Sequence, residues 1–527
     1  ATTSASAPKA ASPAAPAASP ATAPQAATAP AASPVARAEP QGRVVYGLDF
    51  TLTPTWLDPQ ENPAALSPYS IQYAIHDALV KHLPGKPFSP SLAESFEMAT
   101  DFKSATFRLR EGVKFHDGSP VTPADVKFTF ENYKGANAKA LKDKTAGIDT
   151  PDARTVQFTF TEPFLDFMML YGTPASGAGW IVPAQYYQQV GPDGFKQKPI
   201  GAGPYKFVSF NGNDLELEAF TDYWRATRKI RTVIFKAVAE DATRLAQLQT
   251  GEADIINLIP GPLLDTVKAD PNLTLAPVLG SAMWLEFPGW EKPDSPFNNP
   301  KVRQAVNLAL DRQAISQAEE GGLSGFEGNW IPADWPGAIQ RPMPEYNVDR
   351  AKQLMAEAGF PDGFDGGHIT PLPPYFSLAE RVSTQLREIG IRTQLQQMER
   401  GAFTAKLAEG PEAFGKGIVL QISASPGDAA ARIRSFALCQ GANSRTCVPE
   451  IDEKFARYEA SANPQEREQL LTEIQNQFLD QHIFVPLYRQ AFINALGPRI
   501  GGNKDEIMGS IPQYVYVGPW EDVTLKP

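Results

Sequence analysis

TVIFKAVAEDATRLAQLQTGEADII, residues 232–256, decides the fold class. It opens on an apolar run rich in the β-branched and aromatic residues that suit a buried strand. Asp241 then reads as a helix cap, Leu245 and Leu248 lie on one helical face, Gly251 stops the helix, and Ile255–Ile256 begin another strand. A strand, a helix and a strand in that order form a βαβ unit. The same succession returns in SLAERVSTQLREIGIRTQLQQM, residues 377–398. There Val382, Leu386 and Ile389 make the helical stripe, Gly390 ends it, and Ile391, Thr393 and Leu395 alternate as a strand does. Two separated α/β regions predict two lobes.

Working outward, GRVVYGLDF (42–50) and RTVQFTF (154–160) read as strands, and SPYSIQYAIHDALV (67–80) reads as a helix with Ile71, Ala74, Ile75 and Leu79 on one face. His76 and His82 flank that helix with no metal-ligand spacing and are expected to be structural. In LREGVKFHDG (109–118), His116 closes a strand and Asp117-Gly118 is a turn pair. Thr122-Pro123-Ala124-Asp125 then opens a helix, with Thr as cap and Pro in the first turn. This corner is expected to be scaffold, because no partner that would make His116 catalytic or metal-bound stands nearby. Gly201-Ala202-Gly203-Pro204 lacks the Gly-Lys-Ser/Thr ending of a phosphate loop. Asn299-Pro300 starts a further helix, and Gly359 ends another. The chain carries no Ser elbow, HExxH, CxxC or dinucleotide fingerprint, so no catalytic residue, cofactor or metal is expected.

At 527 residues the chain has room for two or three cores. A net charge of -11 and a pI near 5.2 argue against nucleic acid or an anionic membrane as partner. No apolar run is long enough to span a bilayer. Residues 1–42 are nearly all Ala, Pro, Ser and Thr, which predicts a disordered tether. The start at Ala suggests a removed export segment. The two cysteines, in CQGANSRTC (439–447), stand either as a disulfide of an oxidising compartment or as two thiols.

Five segments in this order resemble the solute-binding proteins of peptide/nickel-type ABC importers, the family 5 extracellular solute-binding proteins. They are LAESFEMATDFKSATFRLREGVKFHDGSPVTPADVKFTFENY, PIGAGPYKFVSF, DYWRATRKIRTVIFKAVAEDATRLAQLQTGEADI, PFNNPKVRQAVNLALDRQAI and FVPLY, and the likeness runs from about Arg43 to Trp520. The resemblance implies an α/β, bilobal periplasmic-binding-protein fold with a hinge and an extra α+β subdomain. The first lobe would be 43–77, 203–283 and 490–527, the extra subdomain 78–202, and the second lobe 284–489. It implies a periplasmic monomer, not an enzyme, that takes up a small organic solute, a peptide among the options, between its lobes and delivers it to an ABC permease. An oligosaccharide or nickel chelate is the alternative ligand, and a periplasmic hydrolase the alternative class. A Cys439–Cys447 disulfide matches the dipeptide-binding members.

The pocket departs from those members. Their Trp-containing, Asp-bearing segment corresponds here to LQISASPGDAAARIRSF (420–436), where the Trp is gone and Asp428 aligns only with a shift. Their Arg-Pro-Tyr clamp for a carboxylate becomes Pro373-Pro374-Tyr375, and the histidine of nickel-binding relatives is missing. Simple zwitterionic dipeptides are therefore not the expected ligands. The expected ligand contacts are Tyr69, Trp284, Trp335, Tyr375, Asp428 and Arg432, with Trp290, Trp330 and Arg434 nearby. The tryptophans can equally be plain core, and the arginines solvated.

Overall fold

β1 (Gln41–Leu48) buries its last five residues, as a strand covered on both faces must. The computed structural model describes residues 39–527, apart from 63–66, 174–175, 226–228, 374, 400–401, 404–405, 407–408, 410, 424–426, 442, 462 and 512–513. Most of the expected tether, residues 1–38, thus lies outside the described residues. After β1, α1 (Tyr69–Ile75) is shorter than the sequence pattern predicts. Its Ile75 carbonyl accepts the N–H of Gly203, and the backbone turns extended at His76, so Leu79 leaves the helical face it was expected to share.

β2 (Val80–Leu83) and β3 (Lys86–Pro90) form a hairpin ahead of a separate four-stranded sheet. That sheet comprises β4 (Ala93–Met98), β5 (Ser104–Leu109), β6 (Thr145–Asp149) and β7 (Thr155–Phe160). Between β5 and β6, α2 (Pro123–Asn132) starts with a capping box in which Thr122 and Asp125 satisfy each other's backbone donors. The corner before it is scaffold, as expected. The N–H of Gly201 donates to His116 Nδ1 at 3.2 Å, and His116 Nε2 lies 3.0 Å from the Gly203 carbonyl. Those two bonds fix a neutral tautomer with the proton on Nε2, and burial lowers the ring to about 3. The glycines are there for close approach: a Cβ on Gly201 would meet the Ile75 carbonyl oxygen at 2.0 Å.

β1 joins nine further strands in one ten-stranded sheet, and Ile500–Gly501 pairs with Thr524–Leu525 in a separate two-stranded one. β8 (Tyr205–Phe210), β9 (Asp214–Ala219) and β10 (Ile230–Ala237) lead into α3 (Asp241–Thr250) and β11 (Ile255–Ile256). The first βαβ unit is present, with β10 and β11 both parallel to β1, which lies between them. Its helix cap is Glu240 and not Asp241, because the Glu240 carboxylate reaches the N–H groups of Ala242 and Thr243. The long β12 (Thr274–Glu286) follows, then β13 (Phe364–Pro371), α4 (Phe376–Glu388), β14 (Ile391–Leu395) and β15 (Gly417–Ser423). α5 (Ala429–Phe436) and β16 (Val485–Leu496) complete the set. Strand order is β14-β13-β15-β12-β16-β11-β1-β10-β9-β8.

One parallel group, β13 with β14 and β15, and another, β1 with β10 and β11, are joined only through the antiparallel pair β12 and β16. Residues 274–279 of β12 pair with 491–496 on one side of a register shift, and 282–285 pair with 485–489 on the other. Gly280 and Ser281 sit in that shift, where a Cβ on Gly280 would strike the Phe492 ring at 2.6 Å. Separate apolar cores gather on either side. One holds Val44, Tyr46, Leu215, Phe235 and Trp520, another Leu285, Val302, Leu354, Val382 and Leu420, and a third lies around β5 and β7. The described ends of the chain meet: Leu525 packs on Gly42, and Arg499 donates to the Arg43 carbonyl.

Cys439 and Cys447 are bonded, so the disulfide implied by the resemblance is present. Chain-entropy arguments put the stabilisation from so short a loop at about 2–3 kcal/mol. The double variant C439S/C447S is expected to lose that amount in urea unfolding, and an unchanged midpoint and slope would count against it.

Candidate ligand site

β15 ends at Ser423 and α5 begins after Asp428, whose Oδ1 accepts the N–H of Ala431 at 2.8 Å as a helix cap. The intervening 424–426 lie outside the described residues, as does Pro374 of the Pro373-Pro374-Tyr375 segment. Ala429, Arg432, Ile433 and Phe436 follow the i, i+3, i+4, i+7 spacing of a buried stripe, and all four are buried. An arginine therefore occupies a core position.

Arg432 is 3% exposed. Its guanidinium carbon lies 4.8 Å from the Trp335 ring centre and 5.4 Å from those of Trp284 and Phe436. Its hydrogen bonds are long ones to carbonyls, 3.3 Å to Ser423 and 3.5 Å to Trp330. Among the described residues no carboxylate pairs with it. Burial and the nearby positive charge of Arg489 lower it to about 9. The indole N–H groups of Trp335 and Trp330 are also buried without an acceptor among the described residues.

Arg489 is the contrasting case. It grips both oxygens of Asp334 at 2.9 and 3.1 Å, reaches Glu327 at 3.3 Å, and donates to the carbonyls of Leu279 and Gly280 at the β12–β16 shift. Leu279 and Phe326 beside it are exposed at 39% and 40%, and a Cβ on Gly325 would touch Leu279 at 3.0 Å. The crossing between the two parallel groups thus carries an apolar patch, a satisfied ion pair and, next to Asp334, the Trp335 ring that covers Arg432.

The other expected contacts lie as follows. Trp284 is fully buried, donates to Glu286 Oε1 at 2.7 Å, packs edge-on against Phe436 and lies under the Arg432 guanidinium. Trp330 is likewise core, and Trp290 donates to Thr446 with Arg303 over its ring. Tyr375 is half-buried and donates to Gln490 Oε1 at 3.2 Å. Tyr69 is fully buried, stacks on Trp180 and accepts a hydrogen bond from Tyr514 at its carbonyl, while its own hydroxyl has no partner among the described residues. No described contact joins it to the Arg432 cluster. Arg434 is not solvated: it pairs with Asp166 at 2.5 Å and Glu459 at 2.9 Å. Burial and the charge of Asp166 push Asp428 up to about 6, with Arg434 opposing. Among the described residues no group of His, Cys, Asp or Glu is arranged to hold a metal.

Sequence reasoning missed Arg489 and Gln490. The signal was a charged and a polar residue interrupting the apolar run of β16, VPLYRQAFINAL. Asp166 gave none, since its partner Arg434 lies 268 residues away.

Residues 87–444 match the family described as bacterial extracellular solute-binding proteins, family 5 middle. The chain belongs to that family. A family 5 relative, the glutathione-binding protein of Pectobacterium atrosepticum, is 32% identical over 349 residues, covering 62% of this chain and 63% of the relative. Heme-binding protein A of Haemophilus influenzae is 29% identical over 371 residues, 64% of this chain and 67% of the relative. Among solved structures, the binding protein AgaA in complex with agropinic acid, from A. tumefacien R10, superposes with a TM-score of 0.70 at 26% identity, covering 88% of this chain and 95% of that one. The fold is the bilobal α/β fold of family 5 binding proteins.

Proposed function

We propose that this family 5 protein is the extracytoplasmic receptor of an ABC importer, a monomer that captures a small organic solute between its lobes and presents it to a membrane permease without chemical turnover. The carrying observation is the β12–β16 crossing. Two parallel α/β groups meet through one strand pair with a register shift at Gly280–Ser281, and the Arg489–Asp334 pair, Trp335 and the apolar Leu279 and Phe326 gather there. Such a junction suits hinge closure, in which the ligand stabilises one of two lobe arrangements. The lobes would be 43–77 with 203–283 and 490–527, and 284–489, with 78–202 as the extra subdomain.

Relatives are named for glutathione and heme, and a solved neighbour holds agropinic acid, so the class of solute spans peptide-like and other organic molecules. For this chain the site supports a solute held by ring faces. A free dipeptide ammonium has a poor anchor in Asp428, which caps α5 and titrates near 6.

Native mass spectrometry of the purified chain identifies the co-purified solute, and calorimetry with small-angle scattering then tests it. Micromolar or tighter binding, about 8 kcal/mol or more, with a smaller radius of gyration and no product, is the expected result. Trp335→Ala or Tyr375→Ala is expected to cost more affinity than Asp428→Asn, and Ala-Ala to bind weakly. Tight Ala-Ala binding abolished by Asp428→Asn would overturn the ligand class, and product formation would overturn the receptor.

A further inference from the structure

Guanidinium groups inside proteins are normally paired with carboxylates, because an isolated buried charge loses its hydration with nothing to replace it. Three other arginines obey this, while Arg303 and Arg312 are buried without a carboxylate among the described residues but are held by carbonyls as close as 2.6 and 2.8 Å. Arg489 has Asp334 and Glu327, Arg434 has Asp166 and Glu459, and Arg445 has Glu286. Arg432 alone among these four has none, although it offers five N–H donors and spends them on two carbonyls at 3.3 and 3.5 Å. Its surroundings do not otherwise explain its charge. Ring faces of Trp335, Trp284 and Phe436 attract a cation but supply no counter-ion. The unpartnered indole N–H groups of Trp335 and Trp330 add donors to the same region, so the neighbourhood is rich in positive hydrogen-bonding capacity and short of acceptors. The charge that acts on its guanidinium, that of Arg489, is of the same sign.

We infer that Arg432, within its cage of Trp335, Trp284 and Phe436, is the anchor for a carboxylate on the transported solute, a carboxylate attached to a ring or other flat apolar group. The inference rests on the receptor reading above and names the chemical class of its ligand. A planar carboxylate matches the fork of a guanidinium in two parallel hydrogen bonds. Trp335 lies against the guanidinium and beside Asp334 of the junction patch, and so can stack on the ring of a solute that reaches Arg432. The anchor would be missed by comparison with dipeptide-binding relatives, whose carboxylate clamp corresponds to the Pro373-Pro374-Tyr375 segment.

The test uses the full chain, dialysed free of solute, with benzoate as probe and benzamide as its uncharged counterpart, followed by tryptophan fluorescence and calorimetry. Saturable benzoate binding is expected, at least tenfold tighter than benzamide. Arg432→Met, which keeps the length and removes the charge, is expected to abolish the preference while leaving the melting temperature of the solute-free protein unchanged or higher. A purely structural arginine would give the opposite, a lower melting temperature with no change in any acid-over-amide preference. Absent benzoate binding, equal binding of acid and amide, an unchanged preference in Arg432→Met, or a destabilised Arg432→Met each overturns the anchor. None of these touches the receptor reading, which falls on its own test if the co-purified solute is chemically converted or lobe closure fails to accompany its binding.

Discussion

Asp77→Ala is expected to lower the unfolding free energy by about 3–5 kcal/mol, the range seen when one member of a buried charge pair is removed. Asp77 and Lys81 are 0% and 2% exposed and 2.9 Å apart. The carboxylate takes four more hydrogen bonds. On Oδ1 these come from the N–H of Ala78 at 3.0 Å and the Ser91 hydroxyl at 2.6 Å, and on Oδ2 from the Tyr223 hydroxyl at 3.0 Å and the Trp224 indole at 2.7 Å. Lys81 also donates to Tyr223, which lies 3.3 Å from Glu521, itself paired with Arg225. One carboxylate thus ties the end of α1 to the start of the four-stranded region, to the segment after β9 and, through Tyr223, to the C-terminal stretch. Removing it strands an ammonium and several donors away from water. Adding Lys81→Met to Asp77→Ala should recover part of the loss, because the orphaned charge goes too. Urea unfolding that places Asp77→Ala within 1 kcal/mol of the parent would show that water reaches Lys81.

Glu286→Gln is expected to cost a similar 3–5 kcal/mol, and by a more local route. Glu286 accepts from the Trp284 indole at 2.7 Å and from Arg445 Nη1 at 2.9 Å, with both members of the ion pair almost wholly buried. Burial raises the Glu286 carboxyl and Arg445 opposes that rise. The glutamine keeps the shape and deletes the charge, leaving Arg445 with the Asn443 carbonyl and the ring of Phe414 at 5.0 Å. Arg445 lies inside the loop closed by Cys439 and Cys447, so the ion pair and the disulfide hold the same nine-residue segment to β12. Their losses should therefore be non-additive when Glu286→Gln is combined with C439S/C447S, and strict additivity would show that the two act on separate units.

What could be read from the chain divides along a physical line. Local rules carried α2 with its Thr122–Asp125 box, the glycine stops at 251 and 390, and both βαβ units, because caps, turns and periodicity depend on neighbours a few residues away. α1 ended early because a residue 128 positions later, Gly203, claims the Ile75 carbonyl. The charged groups went the same way. Arg432 and Arg434 are two residues apart and alike in sequence, yet one is caged without a counter-ion and the other is paired with Asp166 from the region around the four-stranded sheet. In the folded α5 the helical spacing puts Arg432 on the buried stripe, where the sequence reading allowed a solvated side chain. Only the tertiary arrangement could show that no acid accompanies it.

The meeting of Gly42 with Leu525 makes the described chain nearly a closed ring. A short linker across that gap, with new ends opened at the exposed turn Pro361–Asp362, would give a circular permutant that keeps every strand pairing. Its new ends would emerge beside β13, on the far side of the β12–β16 crossing from Gly42 and Leu525. The same binding protein could then be fastened to a surface or fused to a reporter by its opposite half.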